Sequence, residues 1–457
     1  MCGRSLLTGY TQTISTGLFC RKGAPLLQFD DENRVKRIED QQAILIGVGV
    51  DGDMDYSMQE LAGLAEAAGI RVAATFVQNL DVPHPGTYIG KGKIAELAEM
   101  CSNMDISLVI ANDELSGTQL RNMEQALSVS VIDRTLLILD IFATRATSRQ
   151  GKLQVEMAQL QYRLPRLAGL GKALSRLGGG IGTRGPGEKK LETDRRHIQR
   201  RIRDIAKEMH RHKKQRDVQR ARSERSGIPI IALVGYTNAG KSSVMNRFLS
   251  LALREEVKVT EKDLLFTTLD ASHRLITLPD RSRFLLVDTV GFVSKLPHAL
   301  VEAFHSTLEE VVWADLLLHV VDATFPEVDF HIDVTKRVLA ELGAAEKPAL
   351  LLFNKSDIAP DISTLAYGSN AYAVSAKTGA GFELVLQKIK ELLFADLIET
   401  DVLIPYDRGD LVSYICAKAI PSALSHTEDG TRLSIALSAT DRKRVQAYIV
   451  AQEGGKL

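Results

Sequence analysis

The chain has 457 residues, 45% hydrophobic and 25% charged, with 57 basic side chains offset by 57 acidic ones. That length exceeds what one hydrophobic core organises and predicts a multidomain globular protein; its apolar runs, such as "LLLHVV" at 316–321, have core-strand length, so membrane insertion is not expected. Cys2, Cys20, Cys101 and Cys416 are too scattered for a disulfide framework or zinc site and form no C-x-x-C pair, which predicts a reducing compartment, the cytoplasm.

Residues 1–40 read as a flexible N-terminal extension. The first 27 contain no Asp or Glu but do contain Arg4, Arg21 and Lys22, a composition that keeps an organellar matrix as an alternative location. From 41 to 145, strand-like runs ("AILIGVGV", "RVAATFV", "SLVIAN", "VSVID") alternate with helical patterns ("SMQELAGLAEAAG", "GKIAELAEM", "SGTQLRNMEQAL"). This alternation predicts a small α/β domain. Its "YIGKGK" lacks the spacer and terminal Ser/Thr of a phosphate loop and is expected to be a strand-to-helix turn.

Residues 146–226 differ in kind. Leu153, Met157, Leu160, Leu164 and Leu167 recur at helical spacing, as do Leu191, Ile198, Ile202, Ile205 and Met209. Two helices with narrow seams around a Gly-rich stretch predict an antiparallel hairpin with "LGGGIGTRGPGEKK" at its tip. Between 141 and 226 there are 23 Lys/Arg against 8 Asp/Glu, so this hairpin is expected to meet an anion. Glycine lets backbone amides approach that anion, with Arg184, Lys189 and Lys190 supplying charge. A charged helix face alone is as often merely solvated; the long cationic tip is what favours a ligand.

From 227 to 396 buried strands and helices return, and 397–457 reads as a small α+β domain built on "DVLIPY", "RGDLVSYICAKA" and "TRLSIALSA". The fold class is therefore α/β and multidomain.

The chemistry concentrates in four motifs. "GYTNAGKS" (Gly235, Tyr236, Thr237, Asn238, Ala239, Gly240, Lys241, Ser242) follows a buried strand and precedes an amphipathic helix, the context a phosphate loop requires. Its amides can wrap the phosphates, Lys241 can reach the β- and γ-oxygens, and Ser242 can ligate Mg²⁺. "FTTLD" (Phe266, Thr267, Thr268, Leu269, Asp270) offers Thr268 as a second Mg²⁺ ligand on closure. "DTVG" (Asp288, Thr289, Val290, Gly291) puts a carboxylate at a strand end for the metal and a glycine amide for the γ-phosphate. Lys241, Thr268 and Gly291 are thus the predicted catalytic set, and Ser242, Thr268 and Asp288 the metal set.

In "NKSD" (Asn354, Lys355, Ser356, Asp357), Asp357 can accept from both N1–H and the amine of guanine, and "SAK" (Ser375, Ala376, Lys377) can bring an amide to guanine O6. The ligand read from these motifs is GTP or GDP. Phe292 stands where many GTPases place a water-orienting Gln, and Asn238 stands where some that lack it hold K⁺, so slow intrinsic hydrolysis with K⁺ as a second cation is expected.

The chain resembles the HflX family of ribosome-associated GTPases. The resemblance rests on "YIGKGKIAEL", "VIDRTLLILDIFATRATSRQGKLQVEMAQLQYRLPRL", "GGGIGTRGPGEKKLETDRRHI", "DTVGFVSKLPHALVEAFHSTLEE" and "LIPYDRGDLV", spread over about 90 to 411. It implies a translation-factor-class GTPase domain at 228–395, docking on the large ribosomal subunit, a hairpin loop directed toward the peptidyl transferase centre, and splitting of stalled or idle ribosomes. It also implies weaker purine-nucleotide handling by the N-terminal domain, for which no complete motif is visible. Where the family has Thr and then Lys or Gln after "GPGE", this chain has Lys189 and Lys190. The expected anion at the tip is accordingly ribosomal RNA, and the chain is expected to be monomeric. Two alternatives remain. A membrane-associated GTPase regulating proteolysis, peripheral at the bilayer, requires a lipid anchor or apolar surface helix. A nucleotide-dependent RNA remodelling factor requires a second phosphate loop.

Overall fold

The computed structural model describes residues 42–49, 53–174, 192–211, 228–252, 272–279, 282–294, 310–359 and 363–450. The N-terminal extension, the hairpin tip with Arg184, Lys189 and Lys190, and Phe266, Thr267, Thr268, Leu269 and Asp270 lie outside the described residues. The chain divides into two compact units, Met1–Thr144 and Arg145–Leu457.

In the first unit, β1 (Gln42–Gly49), β2 (Arg71–Asn79), β3 (Leu108–Ala111) and β4 (Ser130–Asp133) form a parallel sheet in the order β2-β1-β3-β4. The helices α1 (Asp53–Ala67), α2 (Lys91–Asn103), α3 (Gly117–Leu127) and α4 (Arg134–Arg145) alternate with them, as the changing hydrophobic period predicts. Consecutive apolar residues in β1 and β3 are buried on both faces, the pattern of a covered parallel sheet. Ser116 opens α3 with a reciprocal capping box to Gln119, which fixes the chain's entry into that helix. "YIGKGK" forms the expected turn, ending at Gly90, the N-cap of α2.

Polar groups cross the carboxyl edge of this sheet. Asp133 accepts the Leu136 and Leu115 amides, each at 2.9 Å. Arg134 pairs with Glu60 and donates to Asn112 at 3.0 Å, and Asn112 donates to Ser57 at 2.7 Å. Arg134 and Glu60 are both buried, so each needs the other's charge.

In the second unit, α5 (Arg149–Leu174) and α6 (192–211) carry the hairpin. Arg149 Nε donates to Glu208 at 2.8 Å, while Arg201 grips Glu156 through Nε at 2.6 Å and Nη2 at 2.7 Å. Residues near the start of α5 therefore meet the end of α6, and later ones meet its middle: the helices run antiparallel. These surface pairs report geometry more than stability. Ile205 is buried and Ile198, Ile202 and Met209 are partly so, but the most buried stripe of α5 is Val155, Ala158 and Tyr162, offset from the predicted Leu153-to-Leu167 line, of which only Leu153 is fully buried among the described positions. Helix α5 also passes through Pro165, and the Arg166 guanidinium lies 3.4 Å from the centre of the Tyr162 ring beside it.

Six strands follow in one sheet: β5 (Ile230–Val234), β6 (Ser272–Thr277), β7 (Arg283–Asp288), β8 (Leu316–Asp322), β9 (Ala349–Asn354) and β10 (Ala371–Ala373), ordered β10-β9-β8-β5-β7-β6. Only β6 runs antiparallel to its neighbour. The register pairs Leu233 with Asp288, Val234 with His319 and Asp322 with Asn354, so the carboxyl ends of β5, β7, β8 and β9 share one edge. Helices α7 (Lys241–Leu251), α8 (Val328–Glu341) and α9 (Phe382–Leu393) belong to this region; Phe248 of α7 meets Phe284 and Phe382 edge-on within its core.

The C-terminal region pairs β11 (Ile398–Ile404), β13 (Gly430–Leu437) and β12 (Ala423–Thr427) antiparallel, with α10 (Gly409–Lys418) burying Leu411 and Ile415 in the same core as Leu433 and Ile435. Strand β12 is exposed along its length and has no apolar alternation to announce it; it pairs with β13.

The buried pair yields a stability prediction. Arg134→Met leaves the Glu60 charge uncompensated and should destabilise the first unit by about 3–5 kcal/mol, read as a lower thermal transition. Adding Glu60→Leu should recover most of that loss; a double variant no more stable than the single one would show that charge pairing is not what the site contributes.

Candidate functional site

Strand β5 delivers Gly235 to the common edge, and the chain turns into α7 at Lys241. The N-cap of α7 is Gly240 at φ +89°, a left-handed conformation that favours glycine, and its lack of a side chain leaves the first-turn amides uncovered for an anion. A Cβ there would stand 2.2 Å from Asn354 Nδ2, which itself donates to the Ala239 carbonyl at 3.0 Å. The phosphate loop and "NKSD" are therefore in direct contact.

Lys241 lies buried and donates to the Tyr236 and Gly235 carbonyls at 2.7 and 3.1 Å. Burial pulls its pKa down to about 8 against the opposing effect of Asp288. Ser242 Oγ donates to Asp288 Oδ2 at 2.9 Å, across 46 residues of chain. A hydroxyl and a buried carboxylate brought together supply the hard oxygen donors that suit Mg²⁺.

The DTVG segment rests on the phosphate loop. Thr289 Oγ1 donates to Leu233 O at 2.6 Å, Phe292 N–H to Gly235 O at 3.1 Å, and Thr237 N–H to Phe292 O at 2.7 Å. A Cβ on Gly291 would stand 2.9 Å from Lys241 Nζ and 2.8 Å from Thr237 Cγ2, so only glycine fits this approach. Val290 and Phe292 are buried, and the Phe292 ring belongs to the packing of the loop.

At the other end, Ser375 Oγ donates to Asp357 Oδ1 at 2.7 Å, and Ser356 N–H to Val374 O at 3.1 Å. Lys355 adopts φ +66° and bridges to Asp322 at 2.7 Å. Ala376 N–H donates to Asn354 Oδ1 at 3.0 Å, so guanine O6 would share that amide or take the next one, Lys377. All the described sequence-predicted residues, in the phosphate loop, DTVG, NKSD and SAK, thus gather along one sheet edge and the two loops joined to it.

Other polar contacts here are not legible in the sequence. Asp322 ends β8 opposite Asn354 and holds Lys355. Tyr236 stacks on His331 of α8 with ring centres 3.9 Å apart, His331 stacks on Phe325 at 4.0 Å, and the Tyr236 hydroxyl accepts Ser294 N–H at 2.6 Å. His319 lies buried in β8; burial first, then Lys336, Lys241 and His331, push its pKa down to about 3, so it is neutral at physiological pH. Only the register opposite Val234 marks it, since an isolated His within an apolar run carries no motif.

The same order of elements recurs among known proteins. Four family models match in succession: a GTP-binding GTPase N-terminal region at 55–143, a GTP-binding GTPase middle region at 145–223, a 50S ribosome-binding GTPase domain at 230–355 and an HflX C-terminal domain at 362–450. The GTPase HflX of Caldanaerobacter subterraneus is 44% identical over 412 residues, 90% of this chain and 94% of that protein. The chain belongs to the HflX family of GTPases. The GTPase HflX of Escherichia coli is 38% identical over 89% of this chain and 95% of its own length. A crystal structure of a GTP-binding protein from the archaeon Sulfolobus solfataricus in complex with GDP aligns over 78% of this chain and 99% of that one, with 26% identity and a TM-score of 0.42. In this HflX family member the boundary between the last two family models falls between β9 and β10, two strands paired in one sheet.

The depressed Lys241 pKa gives a pH prediction. Phosphate favours the charged ammonium, so bound nucleotide raises the pKa, and binding takes up a proton at pH above about 8. GDP affinity should be flat up to neutral pH and fall about fourfold from pH 7 to 8.5. Isothermal titration should show that fall in the natural chain and lose it in Lys241→Arg, which keeps its charge; the same slope in both would assign the proton elsewhere.

Proposed function

We propose that this GTPase binds the large ribosomal subunit in the cytoplasm and dissociates stalled or idle ribosomes, working as a monomer with Mg²⁺. The carrying observation is a basic helical hairpin, fixed antiparallel by its Arg149–Glu208 and Arg201–Glu156 pairs, in a chain whose phosphate-loop and base-reading motifs converge on one edge. The description of the matching family domain as 50S ribosome-binding supports the same partner.

In this reading the amides of residues 235–242 cradle the phosphates and Lys241 turns from its loop carbonyls to the β- and γ-oxygens. Ser242 and Asp288, with Thr268 from the FTTLD segment, would hold Mg²⁺, which when bound would supply positive charge beside the transferred phosphoryl group. Gly291 offers its amide to the γ-phosphate, and Asp357 with the SAK loop reads guanine. The tip residues Arg184, Lys189 and Lys190 pair with rRNA phosphates, positioning the hairpin by charge and shape.

Replacing those three cations with Ala tests the reading. The variant should co-sediment less with large subunits loaded with a GTP analogue, with a flatter salt dependence of roughly 0.9 counterion lost per phosphate contact. Ribosome-stimulated GTP turnover and subunit release should fall, while turnover of the isolated chain stays near that of the natural protein. Co-sedimentation and stimulation at natural levels would remove the tip from the RNA interface.

A second test concerns water activation. The Phe292 side chain has no hydrogen-bonding group and its ring is buried, so intrinsic hydrolysis should be slow and gain from a monovalent cation near the exposed Asn238. K⁺ should accelerate turnover over Na⁺ at matched ionic strength. Asn238 sits at φ +60°, so Asn238→Gly keeps the backbone while removing the side chain, and it should abolish the difference. Equal rates in the two salts for the natural chain would sink the K⁺ site.

A further inference from the structure

Arg247 lies six residues beyond Lys241 on α7, about 9 Å along the helix from the phosphate-binding end. Its side chain reaches across 129 and 130 residues of chain to the loop carrying SAK, where Nε donates to the Ala376 carbonyl at 3.1 Å and Nη2 to the Lys377 carbonyl at 2.9 Å. Gly379 closes over the guanidinium: at φ +92°, a Cβ there would stand 2.9 Å from Cζ, 3.0 Å from Nη2 and 3.1 Å from Nη1. Near-equal distances to three atoms of the planar group place that approach over its face. The loop is further tied by Gly379 N–H to Ser375 O at 2.7 Å and Ser375 N–H to Ala380 O at 3.0 Å.

We propose that Arg247 is a positioning residue for base selection: its guanidinium fork holds the Ala376–Lys377 peptides so that a backbone amide meets the six-position of the purine. The proposal rests on reading 354–377 as the guanine site. The two carbonyls that Arg247 holds flank the Lys377 amide and follow the Ala376 amide, the latter of which already donates to Asn354 Oδ1, so an oxygen at that position would take the first or share the second. Guanine offers an acceptor there; adenine offers a donor, which the same amide rejects. Because Arg247 rides on the helix that begins with Lys241 and Ser242, the base loop is held in register with the phosphate grip by one rigid element. Lysine cannot reproduce the planar fork and can satisfy only part of it.

Competition against a fluorescent GDP, with the full chain, separates this role from simple support of the fold. Arg247→Ala should lower affinity for GDP and for IDP alike, by roughly tenfold, because both carry O6; ADP affinity should stay unchanged. The GDP-to-ADP preference then shrinks tenfold while the GDP-to-IDP ratio, set by the amine that Asp357 reads, holds. Arg247→Lys should recover part of the preference. Unchanged GDP affinity in Arg247→Ala, or equal losses for GDP and ADP, overturns the proposal, the latter because the residue would then serve the phosphate end or the fold. Asp357→Asn, run beside it, should shift preference from GDP toward XDP. No shift there refutes the guanine-site reading itself, whereas a shift with an inert Arg247→Ala refutes only the role of Arg247.

Discussion

The hydrogen bond from Asn354 to the Ala239 carbonyl is the contact on which the site depends. It joins two loops 115 residues apart in the chain, one built for phosphate and one for a base. Because the amide group sits where a Cβ of residue 240 would be, the bond exists only with glycine there. The same Asn354 side chain accepts Ala376 N–H, so a single planar amide fixes three loops. An amide suits this position because it donates and accepts at once without carrying charge into a buried place. Strand register supplies the rest, since β9 must end level with β5 and β7 for Asn354 to reach Ala239.

Around that contact the buried charges are held in a poised state. Lys241 has lost much of its hydration, and the carbonyl groups of Gly235 and Tyr236 replace only part of it, so its pKa falls to about 8, below the ordinary lysine value. Gly291 stands against Lys241, and Thr237 N–H is engaged by Phe292 O. Phe292, next to DTVG, thus occupies one loop amide, Thr237 N–H, while the Lys241 ammonium is held by the loop's own carbonyls. The stacked Phe325, His331 and Tyr236 rings, with the Tyr236 hydroxyl on Ser294 N–H, extend the contact surface of that segment to α8.

Legibility in the sequence follows the range of the interactions. The alternating strands and helices of residues 42–145 and the strands at 230–288 can be read because their causes are local: hydrophobic period and turn chemistry. The phosphate loop, DTVG, NKSD and SAK can be read because each packs its chemistry into three to eight consecutive residues. Arg134 and Glu60 cannot be paired by reading, since 74 residues separate them and each alone looks like a solvated charge. Arg247 is hidden for the same reason: it sits in an ordinary amphipathic helix, and only the fold brings the SAK loop within reach. On α5, Val155, Ala158 and Tyr162 are more buried than most of the leucines at helical spacing, and periodicity alone cannot rank two stripes on one helix.

The hairpin and the nucleotide site place different demands on their elements. The described helical pair meets through Arg–Glu bridges at its surface, whereas the phosphate loop, NKSD and SAK are joined by buried hydrogen bonds around Asn354, beside the buried Lys241. Coupling between them, if GTP favours docking, must by thermodynamic reciprocity let docking favour GTP. In the proposed reading the element able to sense both is DTVG, which lies against Lys241 at Gly291 and next to Phe292, whose carbonyl accepts Thr237 N–H. A ribosome contact that drew DTVG away from the phosphate loop would withdraw the Gly291 amide and the Asp288 carboxylate from the places proposed for them at the γ-phosphate and Mg²⁺, and so would weaken GTP binding. A contact that held the segment in place would favour it, so in the proposed reading the direction of the coupling is set by which way the ribosome moves one short stretch of chain.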